Sequence, residues 1–360
     1  MTSAENPWAG FHDHERALVA QDARTGIRMV VAIHSTVLGP ALGGVRMSAY
    51  AASADPQAAA YADALRLSRA MTYKNALAGL DHGGGKGVII AEPTLGEPVR
   101  RQALEAFGRL VASCNGAYVT AGDVGVQVAD MDVISEVCPW TTGRSVERGG
   151  AGDSAILTAL GVFEAMRATA GQVWGTTDLT GRRIGIVGVG KVGGRLAGHL
   201  LEAGAVVTAF DTSHAAAAAA TQAGVQMAAT LDEVVTGDFD ILSPNALGGL
   251  LTLDLVPALG APVICGAANN QLATSDVAQA LADRGIVYAP DFVVNSGGVI
   301  QIAEELTGLD MDRARGRTLA IGTTTARVLT RARADGVTPV VAAEREAEDR
   351  LARARGTTGT

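Results

Sequence analysis

The sequence predicts an α/β protein of two domains, the second a doubly wound parallel sheet. Three observations carry this. At 360 residues the chain is long enough for about two domains. Residues 182–211, RRIGIVGVGKVGGRLAGHLLEAGAVVTAFD, run strand, glycine turn, helix and second strand without a break. Beyond them, short apolar runs alternate with helical stretches, and each run closes on Asn, Ser or Gly.

Ile184–Val187 is a short apolar run, as a buried parallel strand needs. Gly188, Gly190 and Gly193 then form GxGxxG. Lys191 and Val192 open the helix, Leu196, Leu200 and Leu201 recur at helical spacing, and Gly204 ends it. Val206–Phe210 makes the second strand and Asp211 closes it. With this context the glycines read as a dinucleotide fingerprint. Gly188 allows the tight turn, Gly190 lets backbone approach the pyrophosphate, and Gly193 lets helix and strand pack closely. Asp211 can accept ribose hydroxyls and repels a 2′-phosphate. Thr212, Ser213 and His214 offer no Arg or Lys to hold that phosphate, so NAD is expected over NADP.

Composition narrows the class. Nearly half the residues (48%) are hydrophobic and 45 are Gly, which suits a large α/β core with many turns. The formal charge of -8 gives no electrostatic case for nucleic acid or an anionic membrane surface. Cys114, Cys138 and Cys265 are widely spaced and form no CxxC, so neither a disulfide framework nor a metal site is expected, and a reducing compartment fits. The N-terminal MTSAENPWAGFHDHE has no basic or apolar signal segment and no uncharged apolar run reaches a membrane span, so the expectation is a soluble, cytoplasmic protein.

The first half has no fingerprint but unusual glycine usage. Arg28–His34 reads as a strand. STVLGPALGGVRM, 35–47, reads as a loop whose backbone at Gly43 and Gly44 could approach a ligand, or as a glycine turn between strands. Ala58–Leu77 is helical, with Ala64, Leu67, Ser68 and Met71 on one face, continued by Lys74 near its end. LDHGGGKGVII, 80–90, sets Lys86 where a glycine-rich entrance gives way to a Val-Ile-Ile strand. Burial there beside another cation would make Lys86 a proton-transfer group. The stretch is no P-loop, since Gly87 stands where Ser or Thr should hold magnesium. His82 reads as a structural residue. Val99–Cys114 is a second helix. In YVTAGDVG, Ala121 and Gly122 leave Asp123 on irregular backbone after a short strand, while Asp130 and Asp132 cap or begin the next helix. Thr141–Asp153 reads as an interdomain linker.

In the second half, Ser154–Ala168 is a helix with Thr158 in its first turns, and Ala215–Ala220 lies in another. Strands at 238–242, 263–265 and 286–288 end in SPNALGG, GAANN and APDFVVNSGG. Asn245, Asn269, Asn270 and Asn295 thus collect at strand ends, the crevice of a doubly wound sheet. Helices follow at 297–306 and 318–329, then a charged helix from Val340 that fades into a GTTGT tail and presents a solvated face or subunit contact. The expected domains are 1–150, 151–330, and a C-terminal helix and tail at 331–360.

AMTYKNALAGLDHGGGKGVII, YVTAGDVG, TTGRS, the fingerprint, CGAANNQLA and YAPDFVVNSGGVI together resemble the glutamate/leucine/phenylalanine/valine dehydrogenases. The resemblance spans nearly the whole chain and is nearest the actinobacterial branch acting on valine. It implies an N-terminal substrate domain, a C-terminal Rossmann domain, a cleft between them, and a homo-oligomer. It implies reversible NAD-dependent oxidative deamination of an L-amino acid to a 2-oxo acid and ammonium. By position, Lys74 would bind the α-carboxylate, Lys86 would activate water, and Asp123 would exchange protons with the substrate nitrogen. Gly43, Gly44 and Met71 would line the substrate, Asn269 and Asn270 would meet the nicotinamide and the carboxylate, Thr158 would lie near the carboxamide, and Lys191, Val192 and Asn245 would join the fingerprint glycines and Asp211 at the cofactor.

The resemblance also implies a side-chain pocket of Leu42, Ala121, Val299 and Ile302. Leu42 stands where glutamate-acting members carry the lysine of GPxKGG, and Ile302 where they carry a serine. Valine is expected first, then leucine and isoleucine, with phenylalanine the alternative. A 2-hydroxy-acid dehydrogenase would need a His paired with an acid, and neither His34 nor His214 is a good candidate. A non-catalytic NAD sensor need not keep Lys74, Lys86 and Asp123.

Overall fold

The structure is a computed structural model that describes residue 11, residues 13–246 and residues 248–357. The N-terminal signal reading falls mostly outside these residues, as does the end of the tail. The chain forms two compact units. One comprises the described residues up to Gly152 with 301–311 and 347–357, and the other comprises 153–300 and 312–346. The expected boundary at 150 falls beside this division. The expected 331–360 segment is shared between the units, and 301–311 returns to the first.

In the first unit, β1 (Arg16–Gln21), β2 (Arg28–Ser35), β3 (Ala41–Ser48), β4 (Gly83–Ile90) and β5 (Tyr118–Gly122) form one sheet in the order β1-β2-β4-β3-β5. β3 runs parallel to both β4 and β5, while β2 is antiparallel to β1 and β4. Helix α1 (Pro56–Leu77) covers β2 and β4 through Ala60, Ala64 and Leu65. Its start is capped by Asp55, whose carboxylate accepts from the Gln57 and Ala58 amides. Helices α2 (Val99–Ala112) and α3 (Val128–Ser135) contribute Leu104, Phe107, Met131 and Ile134 to a core with Met29, Val31 and Ile33. Asp130 caps α3 by accepting from the Gln127 amide at 2.7 Å, as expected; Asp132 instead accepts from the Ser145 amide at 3.0 Å.

Two readings of glycine are corrected here. The stretch expected as a loop at 35–47 contains β3, and the glycines before Lys86 lie inside β4. They mark close packing rather than chain breaks. A Cβ at Gly84 would stand 2.1 Å from the Thr72 amide nitrogen of α1, and one at Gly87 2.4 Å from the Phe107 ring. Only glycine lets helix and ring lie directly on the strand.

The second unit holds β6 (Arg183–Val187), β7 (Val206–Phe210), β8 (Gln226–Met227), β9 (Ile241–Pro244), β10 (Val263–Ile264) and β11 (Val287–Tyr288). Every pairing is parallel, in the order β11-β10-β9-β6-β7-β8. The order reverses between β6 and β9, which is where doubly wound sheets open a ligand crevice. The helices are α4 (Ala155–Trp174), α5 (Lys191–Glu202), α6 (His214–Gln222), α7 (Leu231–Val235), α8 (Asp276–Asp283), α9 (Asp291–Val294), α10 (Gly297–Glu304), α11 (Met311–Asp335) and α12 (Pro339–Thr357). No helix among the described residues is long and apolar enough to cross a membrane.

The returning segments are anchored in the first unit. The buried Glu305 carboxylate accepts from the amides of Gly143 at 3.0 Å and Ala151 at 2.8 Å and from Arg144 Nε at 3.3 Å, so the expected linker is a held loop. The tail helix α12 has the expected solvated face, with Arg345, Asp349, Arg353 and Arg355 exposed, and its end also docks on α1 of its own chain. Glu348 accepts from the Tyr73 hydroxyl at 3.0 Å and Arg350 donates to the Ala76 carbonyl at 2.6 Å.

Candidate active site

The register of the first sheet brings three charged side chains together. Lys86 comes from β4, Arg46 from β3, and Asp123 from the turn after β5. Lys86 Nζ lies 2.6 Å from Asp123 Oδ2 and is nearly shut off from solvent, with a side-chain exposure of 6%. Arg46 Nε reaches the same oxygen at 3.2 Å, and the other end of that guanidinium reaches Asp63 Oδ2 on α1 at 2.8 Å. Burial pushes the Asp123 carboxyl up, but Lys86 and Arg46 outweigh it and hold it at about 2. Burial opposes the Arg46 charge, and Asp123 and Asp63 together raise its affinity for the proton above the ordinary value.

Glycine packing makes room beside this pair. Gly44 lies opposite Ala121 in the β3–β5 ladder, and a Cβ on it would stand 2.9 Å from the Asp123 Cβ. A Cβ on Gly43 would meet the Gly85 carbonyl oxygen at 1.8 Å and the Met71 Cγ at 3.2 Å. Met71 and Lys74 are half-buried one turn apart in the last part of α1. Leu42 and Ala121 are buried, and the Leu42 carbonyl accepts from Asn75 Nδ2 at 3.1 Å.

The fingerprint has its own geometry at the switch point of the second sheet. Gly188 adopts φ +93°, and a Cβ there would stand 2.9 Å from the Ala246 Cβ. A Cβ on Gly193 would lie 2.0 Å from the Gly188 carbonyl oxygen, whereas one on Gly190 would face open space. Gly190 is also the N-cap of α5, and no side chain caps that helix. Its first amides have no side-chain acceptor at the cap while its start is open, which is what an anion needs. Lys191 is exposed and Val192 half-buried behind it. Asp211 accepts from the Val189 amide at 2.8 Å and the Ser213 amide at 2.7 Å, tying the end of β7 to the glycine turn. These residues fit a dinucleotide.

Of the four asparagines expected at strand ends, Asn245 and Asn269 form one linked set with Asn295, which instead caps the end of α9. Asn245 Oδ1 accepts from the Ala267 amide at 2.9 Å, and Asn295 Nδ2 donates to the Ala267 carbonyl at 3.0 Å and to Asn269 Oδ1 at 2.8 Å. Asn270 holds a left-handed backbone at φ +53°, and its carbonyl accepts from the Gly249 amide at 2.8 Å. Thr158 donates to the Ser154 carbonyl at 2.8 Å, and its hydroxyl would stand 2.7 Å from a Cβ on Gly298. Val299 is buried and Ile302 half-buried on α10.

Comparison with known proteins bears on both halves. Residues 14–139 match the Glu/Leu/Phe/Val dehydrogenase dimerisation domain, and residues 183–243 match the NAD-binding domain of 6-phosphogluconate dehydrogenase. The valine dehydrogenase of Streptomyces virginiae is 53% identical over 99% of this chain and 100% of its own length. This chain belongs to the Glu/Leu/Phe/Val dehydrogenase family. The leucine dehydrogenase of Bacillus subtilis is 42% identical over 96% of this dehydrogenase and 93% of its own length. The crystal structure of L-tryptophan dehydrogenase from Nostoc punctiforme superposes with a TM-score of 0.82 at 36% identity, covering 95% of this chain and 97% of its own. The dehydrogenase is thus an oxidoreductase acting on CH–NH2, with a nicotinamide cofactor.

Sequence reasoning missed Arg46, Asp63 and Tyr50 in this family member. Tyr50 donates to Asp63 Oδ2 at 2.7 Å. The available signal was the strand alternation of GGVRM, which sets Arg46 two residues after Gly44 on the same face. Reading the stretch as a loop concealed it.

Proposed function

We propose that this dehydrogenase catalyses reversible, NAD-dependent oxidative deamination of a branched-chain L-amino acid, valine first and then leucine and isoleucine. The products are the 2-oxo acid and ammonium. The observation that carries the reading is the buried Lys86–Asp123 contact at 2.6 Å beside Gly44, in a chain that also carries a complete dinucleotide cradle. The valine and leucine dehydrogenases that resemble it supply the substrate class.

Lys74 pairs with the substrate α-carboxylate. Gly43 and Gly44 let the backbone carry the substrate close to the charged pair. Hydride leaves Cα only once the nitrogen is neutral, so Asp123 takes a proton from the ammonium. A carboxyl held at about 2 meets that ammonium as an anion. With its own proton passed to solvent, neutral Lys86 takes a proton from the water that attacks the iminium carbon, and the ammonium group so formed stabilises the new carbinolamine oxygen. Asp123 returns its proton to the nitrogen, the C–N bond breaks to release ammonia, and the carbinolamine hydroxyl gives up its proton to leave the 2-oxo acid.

Gly188, Gly190, Gly193 and the first amides of α5 would hold the pyrophosphate, Asp211 the ribose, and Asn245, Asn269 and Thr158 the nicotinamide end. Bound there, NAD would supply the acceptor for the Cα hydride. Asp211, with no cation at 212–214, supports NAD over NADP. Leu42 and Ala121 would meet the side chain, and Asn270 the carboxylate. The apolar Val299 and Ile302 suit the same substrates. The match to a dimerisation domain supports a homo-oligomer.

NADH absorbance with ammonium and 2-oxoisovalerate, 4-methyl-2-oxopentanoate or phenylpyruvate tests the reading, with pyruvate and no ammonium as the control. Lys86→Ala and Asp123→Asn should nearly abolish turnover while NADH still binds. Lys74→Ala should chiefly raise KM for the amino acid. Wild-type kcat in Lys86→Ala, or a preference for phenylalanine over all three branched-chain acids, would sink the proposal.

A further inference from the structure

We propose that Arg46 is a positioning residue that holds Asp123 against Lys86 from a tether on Asp63. The inference rests on the reading of Lys86 and Asp123 as the proton-exchanging pair.

Asp123 stands just past β5, on a turn closed by the Val126 amide on its carbonyl, so the sheet ladder does not fix its side chain. Its direction is set by its partners. Lys86 and Arg46 converge on one oxygen, Oδ2, at 2.6 Å and 3.2 Å. A lysine amine is a point charge on a flexible stem and imposes little direction. A guanidinium is planar and rigid, so fixing one end fixes where the other points. Here the fixed end is at Asp63, whose Oδ2 binds Arg46 at 2.8 Å and accepts from Tyr50 at 2.7 Å, and whose Oδ1 binds Arg66 at 2.7 Å. Four elements therefore meet through one side chain: β3, the turn after β5, β4 through Asp123, and α1, which also carries Lys74. Without Arg46 the carboxylate keeps the lysine contact and the amide of its chain neighbour Val124, and loses the one rigid partner that fixes its direction from another element.

The charges around the pair make the test specific. Among the described residues, Lys86 on β4, Arg46 on β3, Asp63 and Arg66 on α1, the Tyr50 hydroxyl and the buried Tyr118 hydroxyl on β5 face this cluster. Removing Arg46 takes away a cation, and the pair then holds its protons more tightly. Removing the Asp63 charge does the reverse.

The experiment is the pH profile of kcat/KM for valine with Arg46→Met, Arg46→Lys and Asp63→Asn, all as full-length protein. Arg46→Met should lower kcat by about 10- to 100-fold with KM for NAD unchanged, the scale of a misplacement near 1 Å. Its pH limb should move up by about one unit, and that of Asp63→Asn down by less. Arg46→Lys should keep the limb near wild type and recover part of kcat. A general loosening of the fold would not move two limbs in opposite directions. Should Arg46→Met fail to fold, the Arg46→Lys and Asp63→Asn profiles decide. Wild-type kcat in Arg46→Met, limbs that stay put, or limbs that move together overturn the proposal. Asp123→Asn separates the two readings. If it is inactive while Arg46→Met is normal, only the role of Arg46 falls; if it is fully active, the proton-exchange reading falls with it.

Discussion

Gly190→Ala should leave the fold intact and damage cofactor binding. Gly190 has φ -67°, a value open to any L-residue, and an added Cβ meets nothing within 4 Å. Removing glycine's extra freedom in the unfolded chain is worth about 0.4–1 kcal/mol in favour of folding, so the melting temperature should hold or rise slightly. The open space around the new methyl is where the pyrophosphate is proposed to approach the backbone. Pushing it away by a methyl radius weakens at least one charge-assisted hydrogen bond, each worth about 1.5–3 kcal/mol. The Kd for NADH should therefore rise by about 10- to 100-fold, since about 1.4 kcal/mol is a factor of ten. Gly193→Ala is the contrasting control. Its Cβ would stand 2.0 Å from the Gly188 carbonyl oxygen, so the turn must open and stability should fall by about 1–3 kcal/mol. Thermal melts with NADH fluorescence titration read both quantities. Wild-type NADH affinity in a folded Gly190→Ala would refute the placement of the pyrophosphate.

Three further outcomes are expected. His34 is buried with its Nδ1 2.8 Å from the Thr72 hydroxyl and its Nε2 without a partner, and burial, with His14 and Arg69 nearby, lowers it to about 4. Its unfolded value is 6.5, so the unfolded chain binds more protons between these values. Stability should fall as pH drops from 6.5 towards 4, by about 3 kcal/mol from this residue alone. Urea unfolding from pH 7 to 5 checks this, and a wild-type slope in His34→Gln would contradict it. Leu42→Lys should begin to admit glutamate while lowering the melting temperature, because Leu42 is fully buried and an unpaired lysine there costs several kcal/mol; a kcat/KM for glutamate that stays at zero would count against Leu42 as a pocket residue. Asp211→Ser should relax the bias against NADP yet also weaken NAD binding, because it loses the carboxylate that holds the Val189 and Ser213 amides; NADP oxidation by wild type at the NAD rate would remove the role given to Asp211.

Much of the second unit follows from local pattern. GxGxxG between two apolar runs, with Asp211 after the second, dictates strand, turn, helix and strand through local contacts a few residues apart. Each glycine has the environment its position demands: left-handed at Gly188, open at Gly190 and closed against Gly188 at Gly193. The asparagines at 245, 269 and 270 could be placed after strands because the strands are short and parallel, whereas Asn295, expected in the same setting, caps the end of helix α9. Lys86 and Asp123 could be singled out from their glycine-rich settings.

The remaining features depend on packing between distant segments. Gly84, Gly85 and Gly87 look like chain breaks when read locally, yet they lie within β4, where helix α1, the Tyr118 ring and the Phe107 ring respectively press on the sheet from distant parts of the chain. The solvated face of the tail helix was legible in its charges, but its docking was not: Glu348 and Arg350 reach Tyr73 and Ala76 of α1 across more than 260 residues of sequence. Arg46 was invisible for the same reason. Its partners are Asp123, 77 positions away, and Asp63 on another element. Periodicity and turn chemistry report contacts between near neighbours, whereas an ion cluster depends on which strand lies beside which, and that is set by the packing of the whole sheet.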